Sequence, residues 1–193
     1  MKDSAVNMPD SPSRARFGLP RVKLSFLLLS LAVLVLDQWT KWLIEAHLPL
    51  HAAANVIPGL LNLTFVRNTG VAFGLFAAQG VASGSWLLTA LGLAALAAVC
   101  FYFWFTPTKD RLLLAALALV VGGAVGNLLD RATTGAVTDF LDLFVGVHHW
   151  PAFNVADSAI SIGIFLMALD SLRGRPAAEA VDAAGAANAA DTA

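Results

Sequence analysis

Four long apolar runs decide what this chain can fold into. They extend from about Leu24 to Ile44, Trp86 to Phe105, Leu112 to Leu129 and Val155 to Leu172. About 20 apolar residues in a helix cross the hydrocarbon of a bilayer, because a helix satisfies its own backbone where no water can. The last two runs are short, about 27 Å each at 1.5 Å per residue, and lean on polar ends. Of 193 residues, 58% are hydrophobic and 13% charged, with a mean hydropathy of +0.73. The composition is that of a multi-span membrane protein, not a soluble domain. A net charge of −1 offers no polyanion-binding face, so nucleic acid is not an expected partner. Cys100 is the single cysteine and sits in an apolar run, which excludes a disulfide or thiolate cluster within one chain.

Lysine and arginine predict the orientation. One side collects Lys2, Arg14, Arg16, Arg21, Lys23, Lys109, Arg111, Arg173 and Arg175. The other has only Lys41, Arg67 and Arg131, a split of nine against three. Both termini are therefore expected in the cytoplasm and both longer loops, about 45–85 and 131–153, outside. The first run is too long for the apolar core of a signal peptide and contains Asp37, Gln38 and Lys41, so it reads as an uncleaved span. Residues 1–20 are Ser/Pro/Arg-rich and 174–193 Ala-rich; both are expected to be disordered extensions of a membrane domain covering 21–173.

The loops carry strand signals. Leu61-Asn62-Leu63-Thr64-Phe65 alternates apolar and polar after the turn signal Pro58-Gly59. Asn68-Thr69-Gly70 is a second turn, Val71-Ala72-Phe73 resumes an apolar run and Gly74 breaks it. A short antiparallel pair on the membrane surface is expected, with a further strand around Val137 to Val145. The fold class is then an all-α membrane protein, four transmembrane helices with a small external β-cradle.

Ionisable residues beside hydrocarbon are costly and point to function. Asp37 lies in the outer half of the first span, and Lys41 follows at i+4, the favourable order for an ion pair. Gly122 and Gly126 are spaced for close helix packing. Asn127 and Arg131 share one face where the third span meets water. Arg131 is either a snorkelling anchor or a fork for a phosphate or carbonyl; spacing leaves both open. Asp139, in the second external loop, and Asp157, in the first turn of the fourth span, bracket a loop short enough to fold back. Each alone reads as an ordinary loop or helix-end acid. Together they suggest a pair sharing one proton, the chemistry of an aspartic protease. Among rival carboxylates, Asp130 suits a cap or ion pair, Asp142 is expected to face solvent, and Asp170 is on the wrong face. His148 and His149 are adjacent, point to opposite faces of a strand and lack a ligand set for zinc. No G-x-S-x-G is present.

Five blocks of residues, in order, match one family: Asp37-Gln38-Trp39-Thr40-Lys41, Asn68-Thr69-Gly70-Val71-Ala72-Phe73-Gly74, Gly123-Ala124-Val125-Gly126-Asn127-Leu128-Leu129-Asp130-Arg131, Val137-Thr138-Asp139-Phe140 and Phe153-Asn154-Val155-Ala156-Asp157-Ser158. On these the chain resembles the lipoprotein signal peptidases (signal peptidase II), membrane aspartic proteases of bacteria. The resemblance implies a catalytic dyad of Asp139 and Asp157, without cofactor or metal. It implies that Asn68, Gly70, Asn127, Arg131 and Asn154 line the site and that Asp37 and Lys41 support it. The implied substrate is a prolipoprotein cut just before a diacylglyceryl-modified cysteine. The implied setting is the bacterial inner membrane, with the site at the periplasmic face of a monomeric enzyme among membrane lipids. Thr138 stands where the family commonly has valine, a near-isosteric change.

Two other readings compete. A small proton-coupled transporter would place its ionisable groups near the midplane, where here only Asp37 comes close. A structural membrane subunit would tolerate Asp139→Asn and Asp157→Asn. Neither accounts for the five ordered blocks.

Overall fold

The computed structural model describes residues 20–70 and 81–173. Four helices follow the apolar runs: α1 Arg21–His47, α2 Val81–Phe105, α3 Arg111–Thr134 and α4 Val155–Leu172. Each is long and apolar enough to cross a membrane. The N- and C-terminal extensions and the run Val71–Gly74 lie outside the described residues.

Between the helices lie β1 Ala53–Ile57, β2 Leu61–Asn68, β3 Val137–Val145 and β4 His148–His149. They form one antiparallel sheet in the order β1-β2-β3-β4. The expected strand at 61–65 extends to Asn68, and the expected strand at 137–145 appears with those bounds. An all-α description therefore understates the fold: the sheet recruits β1 and β4 and joins the two loops into one body. A bulge between Leu63 and Val66 shifts the β2–β3 register, so that Asn62 faces Asp142 and Val66 faces Asp139.

Helix α3 is the central element and packs against all three others. Leu114, Ala116, Leu117 and Ala118 on it are fully buried. By contrast Leu28, Val35, Trp42, Trp104, Ile164 and Phe165 point outward and are more than half exposed, the lipid-facing surface of a membrane bundle. Close approach depends on glycine. A Cβ at Gly122 would stand 2.6 Å from the Ser30 carbonyl oxygen, and one at Gly126 2.5 Å from Asp37 Oδ2. The G-x-x-x-G spacing thus serves packing, as expected, and Gly126 also makes room for a carboxylate.

Helices α1 and α3 run parallel: Ser30 Oγ donates to the Ala118 carbonyl, and farther along Lys41 pairs with Asp130. The sheet and the ends of these two helices therefore occupy one end of the bundle. The starts of α1 and α3 occupy the other, where Lys23 Nζ donates to the last carbonyls of α2, those of Phe103 and Trp104. A lysine at that position caps the helix C-terminus and complements its dipole.

Candidate active site

The site is built where α1, α3, α4 and β3 meet. Its base is Lys41, only 3% exposed. Its ammonium lies 2.7 Å from Asp37 Oδ2 and 2.8 Å from Asp130 Oδ2, and donates to Asn127 Oδ1 at 3.0 Å. One buried cation facing two carboxylates leaves an excess negative charge, which backbone N–H groups share. Asp37 Oδ1 accepts from the Ala156 amide at 2.9 Å, and Asp130 Oδ2 from the Thr138 amide at 3.1 Å. Gln38 Nε2 donates to Asp130 Oδ1 at 2.9 Å.

Those two amides belong to the residues immediately before Asp157 and Asp139. The charge cluster thus fixes the start of α4 through Asp37 and the start of β3 through Asp130. Sequence reasoning anticipated the Asp37–Lys41 pair and cast Asp130 as an ion-pair partner. It did not reach the link from Asp130 to the strand carrying Asp139.

Asp139 and Asp157 themselves are held by amide side chains. Asp139 is 2% exposed, not a solvated loop acid. Its Oδ2 accepts from Asn68 Nδ2 at 2.9 Å and its Oδ1 from Asn154 Nδ2 at 2.7 Å. Asp157 Oδ1 accepts from Asn127 Nδ2 at 2.7 Å. Asn154 is fully buried and also caps α4, its Oδ1 accepting from the Asp157 amide at 2.9 Å. Asn68 Oδ1 accepts from the Gly70 amide at 2.9 Å, and Gly70 takes φ +78, a turn that glycine adopts without strain.

Burial pushes the Asp139 carboxyl up from 3.8 to about 6. The Asn68 amide pulls it down, the nearby Asp157 charge pushes it up again, and Asn154 and Lys41 pull it down further. The charge of a neighbouring carboxyl favours the protonated form of a carboxylic acid.

Arg131 is half-buried one turn beyond Asn127, and its buried Nε has no hydrogen-bond partner among the described residues. Asp142 is not free in solvent as expected. Its carboxylate accepts from Asn62 Nδ2 at 3.0 Å and pairs with His149 Nδ1 at 2.8 Å, while the His149 ring stacks on Phe144. The pairing of β2, β3 and β4 brings these polar residues together, a relation that residue spacing along one strand does not contain.

Glu45 and Arg67 are two further residues that sequence reasoning passed over. Thr138 Oγ1 donates to Glu45 Oε1 at 2.6 Å, and Arg67 pairs with the same oxygen at 3.2 Å. Arg67 also donates to Thr134 Oγ1 at 2.8 Å. Thr138, next to Asp139, is thereby tied to α1 and β2, which a valine at this position would not achieve.

This bundle with an antiparallel sheet at one end is the fold of a bacterial membrane enzyme. A solved bacterial membrane enzyme superimposes with a TM-score of 0.68 at 32% identity, covering 78% of this chain and 94% of that one. A second superimposes with the same TM-score at 31% identity, covering 77% and 88%. The family model described as signal peptidase (SPase) II matches residues 29–173, and the chain belongs to that family. A lipoprotein signal peptidase of Syntrophus aciditrophicus is 42% identical over 148 residues, 77% of this chain and 92% of the relative. One of Geobacter metallireducens is 43% identical over the same length, 77% and 90% of the two chains. The family is one of proteases, so the transporter reading is not favoured.

Proposed function

We propose that Asp139 and Asp157 are the catalytic pair of a lipoprotein signal peptidase that removes the signal peptide from diacylglyceryl-modified prolipoproteins. The observation that carries this reading is the way the two carboxyls are held. Each accepts from neutral amides and, among the described residues, neither is paired with a cation, since Lys41 is engaged by Asp37, Asp130 and Asn127. Such a pair can share one proton, whereas a salt-bridged carboxylate would be locked in its ionised form.

In the reaction, the ionised member takes a proton from water as that water attacks the scissile carbonyl carbon. The protonated member gives its proton to the carbonyl oxygen. Collapse of the tetrahedral diol breaks the C–N bond, and the nitrogen leaves with a proton returned by the pair. Water and the peptide bond are consumed, an acid and an amine are formed, and the pair regains its single shared proton.

Asn68, Asn127 and Asn154 orient the carboxyls, and Gly70 sets the turn that aims Asn68. Asp37 and Lys41 hold the elements in place. The unpartnered Nε of Arg131 suits a substrate carbonyl or a lipid phosphate. Both carboxyls come from one chain, so a monomer suffices. The nine-to-three bias of basic residues supports cytoplasmic termini in an inner membrane and a site at the periplasmic face. There, a lipid-anchored substrate diffuses in the outer leaflet and water can reach the carboxyls.

The test is cleavage of a purified diacylglyceryl-modified prolipoprotein, with the product masses measured. The reading expects one cut, directly before the lipidated cysteine, and none in the same precursor without lipid. Equal cutting of the unlipidated precursor would contradict the substrate class.

A further inference from the structure

At the end of the bundle away from the carboxylates, α1 and α3 border a groove of about 270 Å³ lined by Arg21, Val22, Ser25, Phe26 and Arg111. We propose that this groove binds the phosphate of an anionic phospholipid in the leaflet on that side. The two guanidinium groups take the phosphate, and Val22 and Phe26 take the glycerol and upper acyl chain. The inference needs only that the helices span a membrane and is independent of the peptidase chemistry.

Charge is the first argument. Among the described residues neither Arg21 nor Arg111 makes an ion pair. Near them Lys109 adds a cation and Asp110 one carboxylate, which makes no side-chain capping bond to α3. Two arginines line the groove, and the turn leading into Arg111 carries one further cation and one carboxylate. Lys23 is committed to the Phe103 and Trp104 carbonyls and does not serve the groove.

Chemistry is the second. Planar guanidinium groups match phosphate oxygens in pairs, and basic pockets between membrane helices suit lipid headgroups. The two arginines open their helices, and neither helix has an acidic residue in its first turn. A cation there opposes the helix dipole, and an anion bound between the two offsets both costs.

Position is the third. The floor residues Val22 and Phe26 pack on the buried cluster of Leu113, Leu114 and Leu117, while Leu24 and Leu28, both about half exposed, follow Arg21 at i+3 and i+7 along the lipid-facing edge of α1. A lipid tail can follow that surface, whereas a free soluble anion gains nothing from it.

The test compares retention of phosphatidylglycerol and phosphatidylcholine on the full-length wild-type protein by native mass spectrometry from mixed micelles. One phosphatidylglycerol is expected to persist, with phosphatidylcholine lost first. In Arg21→Gln/Arg111→Gln that retention is expected to fall roughly tenfold, each surface cation contributing modestly, while prolipoprotein cleavage in detergent is unchanged. Should that variant fail to fold in a thermal melt, Arg21→Lys/Arg111→Lys keeps the charge but not the planar forks and is expected to lose several-fold. Equal retention of the two lipids by wild type, or undiminished phosphatidylglycerol on a folded variant, would leave the arginines as orientation signals only and overturn the proposal. Displacement by millimolar inorganic phosphate would assign the groove to a free anion and overturn it as well.

Discussion

Lys41 reaches Asp157 through one amide: its Nζ donates 3.0 Å to Asn127 Oδ1, and Asn127 Nδ2 donates 2.7 Å to Asp157 Oδ1. Asn127 therefore passes orientation from the charged base to the carboxyl without passing the charge. In Asn127→Ala, Asp157 loses its oriented donor and Lys41 one acceptor. A side-chain hydrogen bond to a charged group contributes about 1.5–3 kcal/mol, so kcat/KM is expected to fall roughly 10–100-fold. Steady-state cleavage of a lipidated prolipoprotein peptide, with a melt alongside, checks this. Unchanged kinetics would remove Asn127 from the site.

Lys41 pairs with both Asp37 and Asp130, and these hold the amides before Asp157 and Asp139. Lys41→Met leaves two buried carboxylates without a cation. Breaking a buried ion pair costs about 3–5 kcal/mol, so this variant should melt far below wild type in detergent and lose activity with its fold. A melt within a degree or two of wild type would show the cluster to be dispensable.

Thr138 has a predicted cost smaller than either. Thr138→Val removes the bond to Glu45 and leaves that carboxylate with Arg67. About 0.5–1.5 kcal/mol of stability should go, with kcat changed little, because the Thr138 amide to Asp130 survives. A chemical-denaturation midpoint and a kcat measurement together check this.

Burial raises the Asp139 carboxyl to about 6, and the sign of its pH effect follows. Between 3.8 and about 6 the unfolded chain ionises before the folded one, so this group's contribution to stability falls as pH rises and is fully lost above 6. For catalysis, a pair that must keep one proton fails when both members ionise. The kcat/KM profile, which reports the free enzyme, should therefore decline on the alkaline side with an apparent pKa of about 6. A rate climbing steadily from acid to alkaline pH would contradict the shared proton.

Much of this was legible in the residues. A span must be some 20 residues of unbroken hydrocarbon, so the four helices announce themselves. Strand β3 was legible as a further strand around Val137 to Val145 in the second loop. Strand β1 was not: Ala53–Ile57 is exposed along its whole length and has no inside to alternate with. The short loop between Asp139 and Asp157 pointed to both residues as candidates, and the structure holds each by asparagine amides. The reach of Asp130 to Thr138, and of Glu45 to both Thr138 and Arg67, could not be inferred. Those contacts join residues far apart in the chain, and their register depends on a β-bulge and on the depth at which α1 meets α3.

The central claim is that two carboxyls on one chain share the proton that cuts the substrate. The most direct measurement is single-turnover cleavage of a diacylglyceryl-modified prolipoprotein by wild type, Asp139→Asn and Asp157→Asn in detergent, each shown to be folded by its melt. The account predicts loss of at least about 10³-fold in both variants, the scale expected when a group acting within a catalytic unit is removed. Near-wild-type cleavage by either folded variant would take that residue out of the pair and contradict the account.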